Sequence, residues 1–73
     1  MPKLPVVSGA EAIRALERLG FAVVRQRGSH IILRRGSSGC VVPYHRELKG
    51  GTLVGILKQA GVSPDEFITA LRS

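Results

Sequence analysis

Three runs of strand-favouring residues follow one another with almost no chain between them. Residues 21–27, 30–35 and 40–42 are rich in Val, Ile and other side chains that suit a pleated surface. Only Gly28-Ser29 separates the first two, and only Gly36-Ser37-Ser38-Gly39 the second and third. A parallel pair needs a crossover of roughly a dozen residues or more, and neither gap holds one. The runs therefore read as an antiparallel meander, ended by Pro43.

The flanks read as helices. Residues 1–7 are an extended lead-in, since Pro2 and Pro5 bias their neighbours away from helix. Ser8 and Glu11 have the spacing of a capping box. Ala12, Ile13, Ala15, Leu16 and Leu19 then form a helical stripe with Gly20 as its stop, which predicts a helix over 9–19. After the strands, residues 44–51 read as a polar loop. Thr52 can cap a helix through Leu53, Val54, Ile56, Leu57 and Ala60, stopped by Gly61. Gly55 inside it costs about 1 kcal/mol relative to Ala and hints at close packing. Ser63-Pro64-Asp65-Glu66 is a second capping box, opening a short helix with Phe67, Ile68 and Leu71 on its apolar face.

The expected fold is therefore α+β, in the order α-β-β-β-α-α, with helices covering one face of a three-stranded antiparallel sheet. At 73 residues the chain fits one domain, 1–73. That size excludes a large cofactor cleft or a doubly wound nucleotide fold. An apolar fraction of 44% excludes a disordered basic tail.

Charge is concentrated in the middle. The net charge is +6, and residues 25–49 carry Arg25, Arg27, Arg34, Arg35, Arg46 and Lys49 against Glu47 alone. A basic face on a small domain points to a polyanion, nucleic acid first. Cys40 is the only cysteine, so no internal disulfide forms, which favours a reducing cytoplasm. No apolar run reaches the roughly 18 residues of a membrane span, and residues 1–7 are too short and Pro-rich for a signal peptide.

Both histidines, His30 and His45, fall in the basic stretch. One starts the second strand and the other lies just past the third, so antiparallel pairing brings them to the same edge. If Ile31 and Leu33 face the helices, His30, Ile32 and Arg34 face the open side. That phase is preferred because an inward imidazole costs desolvation. An imidazole beside arginines suits RNA cleavage. The 2′-hydroxyl is a built-in nucleophile, and the reaction needs a base, an acid and cations for the charged transition state. Arg25, Arg27, Arg34, Arg35 and Lys49 are the candidates to hold phosphate, with His45 a second proton-transfer group or a loop anchor. This route needs no metal or other cofactor.

Other chemistries fit less well. Ser29 points away from His30 in a strand, and no acid is placed to orient either imidazole. His30, His45 and Cys40 have no familiar zinc spacing. Gly50-Gly51-Thr52 lacks the lysine of a phosphate-binding loop. Tyr44 either stacks on a base or packs against the protein. Two non-enzymatic readings stand beside catalysis: an RNA-binding module, and a domain whose basic face meets an acidic partner.

Taken together, these residues resemble the HicA toxin (YcfA-like) family. The resemblance rests on Gly28-Ser29-His30, Val42-Pro43-Tyr44-His45, Gly51-Thr52-Leu53, Ile56-Leu57 and Gln59-Ala60-Gly61. The lead-in agrees, with Pro5, Ser8-Gly9, Leu19-Gly20-Phe21 and Arg25-Gln26. It implies a fold like the double-stranded-RNA-binding domain and a toxin that cleaves mRNA, with His30 as the catalytic residue. It also implies a HicB-like antitoxin partner that covers the active region. A true double-stranded-RNA-binding domain would want a lysine cluster at the start of its last main helix, where this chain has only Lys49.

Overall fold

A computed structural model of the chain describes residues 3–73; Pro2, read above as part of the lead-in, lies outside the described residues. The elements are α1 (Gly9–Arg18), β1 (Ala22–Arg27), β2 (His30–Arg35), β3 (Ser38–Pro43), α2 (Gly50–Ala60) and α3 (Pro64–Leu71). The strands pair in the order β1-β2-β3, all antiparallel, as their spacing required. α1 and α2 lie on one face of the sheet, and α3 packs against α1. The other face is open.

Both capping boxes form. The Ser8 hydroxyl accepts from the Glu11 N–H at 3.0 Å, and the Glu11 carboxylate accepts from the Ser8 N–H at 2.9 Å. Ser63 and Glu66 repeat the exchange at 3.1 Å in both directions, with Pro64 in the first turn. The bonds from the serine backbone N–H groups, and then from the hydroxyls, hold both glutamates below the usual carboxylate range. Their contribution to stability is present at neutral pH and is lost as pH falls through those lowered values.

The sheet's inner face supplies Ile31, Leu33, Cys40 and Val42 to a core shared with Leu16, Leu53, Leu57 and Phe67. β1 stands outside the helical cover and is exposed along its whole length, although Phe21 just before it is buried. Its Val23 and Val24 therefore contribute strand propensity but no core.

Four expectations change in detail. β3 begins at Ser38, because an Arg35–Ser38 pair extends the ladder and leaves Gly36-Ser37 as the turn. α2 begins at Gly50, so Thr52 is not its cap. The N-cap is Lys49, with no side-chain bond, and the Leu53 N–H already reaches the Lys49 carbonyl at 3.0 Å. The early start follows from Leu48, which is buried and donates its N–H to the Val7 carbonyl at 2.8 Å. That contact makes part of the 44–51 loop a packed segment. Finally, Gly55 is not a close-packing site, since a Cβ there would meet nothing within 4 Å.

Candidate active site

Along β2, Ile31 and Leu33 are buried while His30 and Arg34 are exposed, so the outward phase for His30 holds. Residues directly opposite in a ladder share a face, with Cβ atoms about 4.5–5.5 Å apart. His30 stands between Arg27 on β1 and Pro43 on β3. Ile32 stands between Arg25 and Val41, and Arg34 between Ala22 and Gly39. The open face therefore carries Arg25, Arg27, His30 and Arg34 in three adjacent rows. A phosphate against His30 would lie within reach of the Arg27 guanidinium, whose planar donors suit its oxygens.

A β-bulge makes this arrangement. The pairing runs regularly through Ala22–Arg34 and Val23–Leu33, then skips Val24 and resumes at Arg25–Ile32. In an unbroken register Arg25 would oppose Ile31, which is buried on the helix side. The one-residue insertion turns Arg25 and Arg27 to the face that holds His30.

The hairpin that presents His30 is tight. Gly28 has φ +58°, and among the described residues none other than glycine has positive φ, the pattern of a type II′ turn with Gly at its first central position. The Gln26 side-chain amide braces it by donating to the Gly28 carbonyl at 3.1 Å. The Tyr44 N–H donates to the Ser29 carbonyl at 2.6 Å, which ties the turn to the segment after β3.

That segment is held in turn by the start of α1. The Gly9 N–H donates to the His45 carbonyl at 2.8 Å, and the His45 N–H to the Pro43 carbonyl at 2.9 Å. A Cβ on Gly9 would run into the Pro43 carbonyl oxygen and come within 3.1 Å of the His45 nitrogen. Only glycine allows this approach without a shift of the segment. His45 is exposed, and its backbone is fixed two residues beyond the one opposite His30.

Two of the expected cations are placed elsewhere. Arg35 donates to the Leu19 carbonyl at 2.7 Å and lies 4.6 Å from the Phe21 ring centroid. It closes the C-terminal end of α1 and is turned away from the open face. Lys49 sits on another element, at the N-cap of α2. Cys40 packs in the core, and burial pushes its thiol up, away from the thiolate form. Among the described residues no three His, Cys, Asp or Glu side chains are grouped to hold a metal ion. No helix among the described residues is long and apolar enough to cross a membrane.

What the sequence leaves hidden is the close approach of Gly9 to the segment after β3, the bulge at Val24 and the bond made by Gln59. Gln59 accepts from the Val41 N–H at 3.4 Å and so occupies a donor on the free edge of β3. A glycine at the first helical position, where it is a poor helix former, was the available hint for Gly9.

Comparison with known proteins completes the picture. The family model described as HicA toxin of bacterial toxin-antitoxin matches residues 9–62, from the start of α1 through all three strands and α2. A search of curated proteins finds no match. The match includes the Gly28-Ser29-His30 turn, the Val24 bulge and the Gly9-anchored segment, and stops short of α3. The chain belongs to the HicA toxin family and is the toxin component of a bacterial toxin–antitoxin system.

Proposed function

We propose that this toxin is a metal-independent endoribonuclease that cuts mRNA and so inhibits translation. The observation that carries the reading is the exposed His30 on an open face, with Arg27 opposite it and Arg25 and Arg34 in the neighbouring rows. A base takes the proton of the 2′-hydroxyl, and the freed oxygen attacks the adjacent phosphorus. The bond from that oxygen to phosphorus forms as the bond from phosphorus to the 5′-oxygen breaks. An acid returns a proton to the leaving 5′-oxygen. His30 takes one of these proton-transfer roles. His45, fixed nearby by its backbone, is the candidate for the other. Arg27, Arg25 and Arg34 offset the charge that builds on the phosphate oxygens.

On this reading residues 1–73 act as one toxin domain, in the cytoplasm where mRNA is translated. A HicB-like antitoxin neutralises it by covering the open face. The reaction fixes its products. Purified protein with a chelator present is expected to leave RNA fragments with 2′,3′-cyclic phosphate and 5′-hydroxyl ends, identified by mass spectrometry. Fragments with 5′-phosphate ends would rule this route out. Binding without any fragments would favour the module that only binds RNA.

A further inference from the structure

The ribonuclease reading leaves open what form of RNA reaches His30. The chain has two phenylalanines, one tyrosine and no tryptophan. Phe21 and Phe67 belong to the core, whereas Tyr44 is 56% exposed. Tyr44 directly follows Pro43, the residue opposite His30, and its own N–H is bonded to the Ser29 carbonyl beside His30. The next residue is clamped by the Gly9–His45 bond. An exposed aromatic ring is thus carried on fixed backbone at the end of the sheet where His30 lies.

Resting on the ribonuclease reading, we propose that Tyr44 is a stacking platform for an unpaired base next to the scissile phosphate. The site then takes single-stranded RNA and rejects a duplex. In a duplex both faces of each base are covered by neighbours, so none is free to stack on a side chain. A single strand offers an open base face. The backbone of such a strand meets Arg27 and Arg25, while its base meets the ring. Stacking tolerates any base, because each has a π-face, so this subsite selects strandedness before sequence. The start of α2 supports the same choice. Lys49-Gly50-Gly51-Thr52 has one cation where a duplex reader would span a groove with several.

Tyr44 is the only tyrosine and tryptophan is absent, so the protein's intrinsic fluorescence reports this ring alone. The probe is a 10-nucleotide 2′-O-methyl RNA with all four bases, which cannot be cut by the 2′-hydroxyl route. It is used alone and annealed to its complement. The single strand should quench the fluorescence saturably, and the duplex should not. By anisotropy of the labelled strand, Tyr44→Ala should weaken binding roughly 5- to 100-fold, and Tyr44→Phe should preserve it. Binding by Tyr44→Ala equal to wild type, or equal quenching by the duplex, would overturn the platform. A loss of affinity for the antitoxin alone would do the same, by making Tyr44 a protein contact. Cleavage of unmodified RNA, assayed in parallel, separates the two readings. Cleavage indifferent to Tyr44→Ala removes the platform only. A strand that binds and quenches but is never cut removes the ribonuclease and keeps the platform.

Discussion

His30→Ala is expected to slow RNA cleavage by about 10²- to 10⁴-fold, the range associated with losing a general acid or base. Growth arrest on induction should disappear with it. The fold should survive, because His30 is exposed at the start of β2 and is no part of the core. Affinity for uncut RNA should also persist, since Arg25, Arg27 and Arg34 remain on the face. Rates from single-turnover cleavage, beside a thermal melt by circular dichroism, check both halves. A folded His30→Ala protein that cuts RNA as fast as wild type would remove His30 from the chemistry.

Phe67→Ala should have the largest effect on stability. Phe67 is fully buried and belongs to the core shared with the sheet and the other helices. Truncating such a ring costs about 3–5 kcal/mol. A chain of this length has a total stability on the order of 4–11 kcal/mol, so the variant should be largely unfolded or melt far below wild type. The family match ends at residue 62, yet this anchor lies beyond it in α3. Chemical denaturation followed by circular dichroism measures the change. A midpoint close to wild type would mean that α3 is dispensable to the core.

Local chemistry made much of this fold legible. Two capping boxes, two Gly-Ser turns and three short apolar runs each specify structure within a few residues. The inward phase of Ile31 and Leu33 followed from the cost of burying His30. What stayed hidden depends on partners distant in sequence. The Val24 bulge is a property of two paired strands, and nothing in the run Val23-Val24-Arg25 marks which residue is skipped. The expectation that Arg35 belongs with the other arginines failed to anticipate the Leu19 carbonyl, a demand set by the end of α1. The early start of α2 follows from the bond between Leu48 and Val7, 41 residues apart, which no local pattern encodes. Gly9 looked like a helix-start residue, and its close approach to Pro43 appears only once the meander is folded.

On the proposed route RNA supplies its own nucleophile to His30 and the arginines around it. The most direct measurement uses two synthetic strands that differ at one atom. One spans a cleavage site mapped with the wild-type protein. The other carries a single 2′-deoxy nucleotide immediately 5′ of the scissile phosphate. The first strand should be cut at that bond, and the second, bound equally well, should not be cut there at all. Cleavage of the deoxy strand at the same bond and a comparable rate would contradict that route.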